Sequence, residues 1–169
     1  LNYALPEVRQ HRKDLIADLC SRYDLDGFEL DFTRDNYHNF TKTDVDRAAD
    51  ILTEYMRELH ELLVGIGEQR GRPIGFGVRI PGTLEVCLQS GFDIETWVND
   101  DLVTSLTPTV YYDTTCELPF DTFVDLTAGK AITVYASVTE GVFSFVSGQI
   151  SKSAVDAMSI ETPVITIGI

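Results

Sequence analysis

The most constraining feature of this sequence is a set of short segments in which apolar residues alternate with small or polar ones. Successive side chains of a β-strand point to opposite faces, so each segment predicts a strand with one apolar face and one polar face. The polar face of the first segment carries Gly27, Glu29 and Asp31. The pattern occurs in Phe28–Phe32, Ile74–Ile80, Val103–Tyr111 and Ala131–Thr139.

Helical patterns separate these strands. Apolar residues recur at helical spacing from Pro6 to Tyr23, and a long amphipathic stripe runs from Val45 to Ile66. Strands that alternate with helices predict parallel βαβ units and an α/β fold. The remaining expected helices are Leu84–Ser90, Ile94–Val98, Phe120–Leu126 and Ser151–Met158, and the apolar segment Val164–Ile169 is a fifth candidate strand.

The polar strand faces favour a TIM-type (β/α)8 barrel over an open doubly wound sheet. An open parallel sheet is covered by helices on both faces and is usually apolar on both, whereas a barrel becomes polar inside, toward the mouth where catalysis occurs. Five candidate strands are too few to close an eight-stranded barrel. We therefore expect residues 1–169 to be a single domain, the C-terminal portion of a barrel that about three further strands precede. On this interpretation Phe28–Phe32 is an unpaired edge strand.

Charge and composition exclude several classes of protein. The net charge of −14 disfavours binding to nucleic acid, and no apolar run reaches the roughly 20 residues needed to cross a membrane. The three cysteines are far apart and no His or Cys spacing is typical of a metal site. We therefore expect no cofactor, no metal and no membrane span, and the sequence does not indicate a localisation.

The candidate catalytic groups lie on the first strand. Glu29 and Asp31 are two residues apart, so both side chains point to the polar face, near the expected mouth of the barrel. Buried charge is costly unless it is paired or used. Asp31 is therefore a candidate nucleophile, general base or stabiliser of positive charge, and Glu29 a candidate acid. The alternative is a structural ion-pair network of both carboxylates with Arg79 on the next strand.

A family resemblance adds to this interpretation. The segment D-G-F-E-L-D-F-T-R, preceded by L-N-Y-A-L-P-E-V-R and followed by G-V-R-I-P, resembles the second half of glycosyl-hydrolase-like barrel proteins of bacteria. The resemblance runs from Leu1 to about Tyr111. It implies that Asp31 takes the place of a catalytic Asp at a strand end, and that Tyr111 and Asp113 are similar to a Tyr-Asp pair of chitinase-like barrels. Thr33 departs from the chitinase pattern, in which an acidic Glu is expected.

Other residues are candidates for the same site. Glu140 follows the fourth strand and is a possible second catalytic carboxylate, although an ordinary loop is equally compatible with Gly141 beside it. Trp97 is expected in the core. The candidate substrate-binding residues are Arg34, His38, Arg79, Tyr111, Asp113 and Tyr135.

The sequence thus predicts a glycoside hydrolase that acts on a small or polymeric carbohydrate through carboxylates inside a barrel. Two alternatives remain open. One is a carbohydrate-binding barrel that lacks the acid, because Thr33 stands where the resemblance expects Glu. The other is a barrel lyase, which also uses carboxylates on the inner face.

Overall fold

Five parallel strands in one sheet form the centre of the fold. The computed structural model describes residues 2–33, 47–109, 118–135 and 165–168. The strands are β1 (Gly27–Asp31), β2 (Gly75–Pro81), β3 (Ser105–Thr109), β4 (Thr133–Val134) and β5 (Ile165–Gly168). The helices described are α1 (Pro6–Arg22), α2 (Ala48–Arg70), α3 (Leu84–Gln89), α4 (Ile94–Asn99) and α5 (Phe120–Leu126). The predicted helix Ser151–Met158 lies outside the described residues.

The order of strands in the sheet is β4-β3-β2-β1-β5. The predicted parallel pairing of neighbours along the chain is confirmed for β1 to β4. The expectation that the first strand is an unpaired edge is wrong, because β5 pairs in parallel with β1 from Phe28 to Asp31. The structure confirms an α/β fold. In the described part of the chain, the five strands form one sheet rather than a closed eight-stranded barrel.

Local signals explain where the helices end. α2 continues through Gly65 and Gly67 to Arg70, beyond the predicted stripe, and ends at Gly71. Gly71 has φ of 76°, a left-handed conformation that is common for glycine after a helix. The short helix α4 begins at a cap in which Asp93 accepts a hydrogen bond from the backbone N–H of Thr96 at 3.1 Å.

The core lies between the apolar face of the sheet and the helices. Trp97 on α4 is fully buried, as predicted, and its indole N–H donates to the Thr53 hydroxyl on α2 at 2.9 Å. The strand residues of this core are Phe28, Leu30, Phe76, Val78, Ile80 and Leu106. Because all of these occupy alternate positions, the opposite face of β1 to β3 is left to the polar side chains.

None of the helices in the described ranges is both long enough and apolar enough to cross a bilayer.

Candidate functional site

The polar side chains of β1, β2 and β3 meet on one face of the sheet. Parallel pairing sets Asp31 beside Arg79, and Arg79 beside Thr107. These positions lie toward the carboxyl ends of the strands, which is where parallel α/β folds build their sites. The structure therefore brings together the predicted residues Glu29, Asp31 and Arg79.

Only 7% of the surface of Glu29 is exposed, and both of its carboxylate oxygens accept hydrogen bonds from neighbouring strands. Its Oε1 atom accepts hydrogen bonds from Arg79 Nη2 at 3.1 Å and Nε at 3.2 Å. Its Oε2 atom accepts a hydrogen bond from the Thr107 hydroxyl at 2.8 Å. In each of these three hydrogen bonds Glu29 is the acceptor. This arrangement suits an ionised carboxylate rather than an acid that must donate its own proton.

Glu29 reaches Thr107 only by crossing β2, because Thr107 lies on β3. The residue paired with Glu29 on β2 is Gly77, which has no side chain to block the crossing. A Cβ atom added to Gly77 would lie 3.8 Å from the Cβ of Glu29 and would collide with the Ser105 hydroxyl. The close approach that requires glycine here is therefore the one to Ser105 on β3, whereas the distance to Glu29 is an ordinary van der Waals contact.

Asp31 is held differently. Its Oδ1 atom accepts hydrogen bonds from the backbone N–H of Thr33 at 2.8 Å and from the Thr33 hydroxyl at 2.6 Å. Its Oδ2 atom lies 3.9 Å from Arg79 Nε, too far for a hydrogen bond. Among the described residues no donor is bound to Oδ2. Asp31 therefore has one oxygen that Thr33 positions and one that accepts no hydrogen bond from the described residues.

The ion-pair alternative is what the structure shows for Glu29. The sequence analysis left open whether the two carboxylates act on a substrate or pair with Arg79, and Arg79 contacts Glu29 more closely than Asp31. The proposed role of Glu29 as an acid is therefore disfavoured by its geometry. Thr33, which stands where the resemblance expects an acid, instead orients Asp31.

Thr107 is a site residue that the sequence analysis did not single out. The alternation in β3 already placed it on the polar face with Thr109, and both are buried, at 3% and 4% exposure. The signal that identifies Thr107 is its pairing with Arg79 across β2 and β3. The pairing can be inferred only when the strand register is known. A hydroxyl residue within a strand does not by itself indicate a functional site.

Of the other predicted site residues, Tyr135 is the one that lies in the described part of the chain. Tyr135 directly follows β4 and is 52% exposed, in contrast to the buried Glu29. Arg34, His38, Tyr111, Asp113 and Glu140, all predicted for the site, lie outside the described residues. Within the described ranges, no group of three or more His, Cys, Asp or Glu side chains is arranged to hold a metal ion.

Comparison with protein-family models finds no match to this chain, and comparison with curated proteins finds no similar sequence.

Proposed function

We propose that this chain is part of a TIM-type barrel glycoside hydrolase, and that Asp31 is its reacting carboxylate. The observation that supports the proposal is that the two carboxylate oxygens of Asp31 differ in their hydrogen bonding. Thr33 holds Oδ1, while Oδ2 has no hydrogen-bond donor among the described residues. A carboxylate that is oriented on one side and available on the other suits a nucleophile or general base.

The charge of the site fits this chemistry. Glu29 and Asp31 together with Arg79 leave one net negative charge at the carboxyl ends of the strands. Glycosidic bond cleavage passes through a transition state with positive charge on the sugar ring. A fixed negative charge stabilises that state more than it stabilises a neutral substrate, which is the condition for catalysis.

Glu29 then serves as a positioning residue. It fixes Arg79 beside Asp31, and its own oxygens are engaged by Arg79 and Thr107. A glycosidase needs a second carboxyl group at about 5 to 5.5 Å for retention or about 6.5 to 9.5 Å for inversion. Asp113 and Glu140 are the candidates that the sequence offers for this second group.

The experiment is a hydrolysis assay of the full-length protein against a panel of neutral oligosaccharides, with Asp31→Asn as the test variant. Asn keeps an oxygen for Thr33 but removes the charge, so we expect turnover to fall by about 10²- to 10³-fold, the scale of losing one such electrostatic contact. The matched control is Asp125→Asn on α5, where the carboxylate is exposed. Turnover of Asp31→Asn equal to that of the control would contradict the proposal.

One observation favours a second candidate, a carbohydrate-binding barrel without catalysis. The carboxylate next to Asp31 on the same face of β1 is Glu29, and it is held in the ion pair with Arg79 rather than free to serve as the second group. This candidate predicts that wild-type protein binds an oligosaccharide in calorimetry but never releases reducing ends. Asp31→Asn would then weaken the binding itself.

A further inference from the structure

Two tyrosine hydroxyls are buried without partners where α1 packs against α2. Tyr3, just before α1, and Tyr55, on α2, are 2% and 0% exposed, and their ring centroids lie 5.2 Å apart. Neither hydroxyl forms a hydrogen bond in the described structure. A buried polar group left without a partner costs about 1 to 3 kcal/mol, so two neighbouring ones call for an explanation.

Basic side chains of α1 surround the same place. The Nε atoms of Arg9 and Arg12 are also buried without a hydrogen-bond partner. Arg9 is anchored by Nη1, which donates to the Tyr3 carbonyl at 2.7 Å. Arg12 forms neither a hydrogen bond nor an ion pair with any of the described residues.

The local charge is positive, although the chain as a whole is strongly acidic. The nearby acidic group is Glu58, which pairs with Lys13 at 2.7 Å and lies 3.9 Å from Arg9 Nε. Among the described residues, three cations thus face one carboxylate, in a chain whose net charge is −14. The acidic composition of the chain does not explain a cluster of cations. The excess of positive charge is therefore particular to the place where α1 packs against α2.

The hydroxyls remain protonated under ordinary conditions. Burial raises the pKa of Tyr3 to about 12, and the positive charge of Arg12 lowers it only in part. Burial also raises the pKa of Tyr55, with Tyr3 adding to the rise and Arg12 opposing it. Tyr3 and Tyr55 therefore offer O–H groups, as Arg9 and Arg12 offer N–H groups, and none of these four donors has an acceptor among the described residues.

We propose that the cluster of Tyr3, Tyr55, Arg9 and Arg12 is a binding site for a small oxyanion, a phosphate, sulfate or carboxylate group. Arginine Nε can only donate, and a guanidinium is matched best by an anion with several acceptor oxygens. The oxygens of one such anion supply acceptors to several of these donors at once and neutralise the excess charge. The flexible side chains of Arg12 and Lys13, which are only partly buried, give the anion a route from solvent.

This site is separate from the candidate functional site. Tyr3 and Tyr55 belong to the same apolar cluster as Phe28 and Leu30. Glu29 lies on the opposite face of β1, because successive strand residues alternate. The oxyanion proposal therefore does not depend on the chemistry proposed for Asp31, and either can fail alone.

The test measures thermal unfolding of the full chain in inorganic phosphate, sulfate or acetate, each compared with sodium chloride at equal ionic strength. A ligand that binds only the folded state raises the unfolding temperature as its concentration exceeds its dissociation constant. We expect at least one of the three oxyanions to stabilise the protein beyond chloride. Which of them does so identifies the group. Stabilisation by all salts equally would overturn the proposal.

Two variants locate the effect. Arg12→Met keeps the apolar stem and removes the donors, and we expect it to weaken oxyanion binding about tenfold or more, on the scale of lost charge-assisted hydrogen bonds. Its control is Arg22→Met, at the exposed end of the same helix. Oxyanion binding that is the same in Arg12→Met and Arg22→Met would count against the site.

The double variant Tyr3→Phe/Tyr55→Phe tests the hydroxyls. Without oxyanion it should unfold at the same temperature as wild type or higher, because two unpartnered polar groups are removed. In the stabilising oxyanion it should gain less than wild type. The exposed Tyr23→Phe serves as control. A double variant that is less stable than wild type in chloride alone would mean that the hydroxyls already have partners, and would overturn the proposal.

Discussion

The two faces of the sheet are held together by different kinds of contact. The helix-facing side is a continuous apolar cluster in which each side chain touches several others, so no single contact decides the arrangement. The opposite face depends on a few directional contacts, in which Glu29 is linked to Arg79 and Thr107. We therefore expect the apolar face to carry most of the stability, and the polar face to fix the geometry around Asp31.

The largest expected effect tests the apolar face. Trp97→Ala should lower the free energy of unfolding by about 3 to 5 kcal/mol, because it opens a cavity beside Phe32 and Phe92 and removes a donor from Thr53. Urea denaturation followed by circular dichroism measures this loss. A loss below about 0.5 kcal/mol, the range of ordinary surface changes, would mean that the helix-facing core does not dominate stability.

The second effect tests the ion pair on the polar face. Arg79→Met leaves the buried charge of Glu29 without its main partner, and we expect a loss of about 3 kcal/mol, the lower end for breaking a buried pair. The double variant Glu29→Gln/Arg79→Met removes both charges and should recover part of that stability. If the loss of unfolding free energy in the double variant equals the sum of the losses in Glu29→Gln and Arg79→Met, the two residues do not interact.

A smaller effect tests the link across β2. Thr107→Val keeps the shape of the side chain but removes the hydroxyl that donates to Glu29 Oε2, and should cost about 1 to 2 kcal/mol. The matched control is Thr109→Val, because the Thr109 hydroxyl makes only a long contact of 3.3 Å with the Thr107 carbonyl. Equal losses in the two variants would show that the contact with Glu29 has no special weight.

The sequence predicted most elements of the fold because their signals are local. The predicted helix Phe120–Leu126 agrees with α5 at both ends, and the alternation in β1 and β2 placed Glu29, Asp31 and Arg79 on one face. The pairing of β5 with β1 could not be predicted, because strands distant along the chain pair through contacts that no local pattern encodes.

The candidate site was predicted in its residues but not in its contacts. Alternation brings Arg79 near both carboxylates, and the side-chain geometry then decides that Glu29 is the closer partner. Gly77, which pairs with Glu29 on β2, places no side chain between Glu29 and Thr107 and leaves room for the Ser105 hydroxyl. A glycine in a strand has several possible reasons, and its role is visible only once the neighbouring strands are in register.

The most direct test of the central claim, that Glu29 is structural and Asp31 is available for chemistry, compares Glu29→Gln with Asp31→Asn by chemical denaturation. It needs no knowledge of the substrate. We expect Glu29→Gln to lose about 2 kcal/mol, because its amide group cannot accept all the hydrogen bonds from Arg79 and Thr107. Asp31→Asn should lose less than about 1 kcal/mol, since Thr33 can still donate to an amide oxygen. An Asp31→Asn variant that is destabilised as much as Glu29→Gln, or more, would contradict this account.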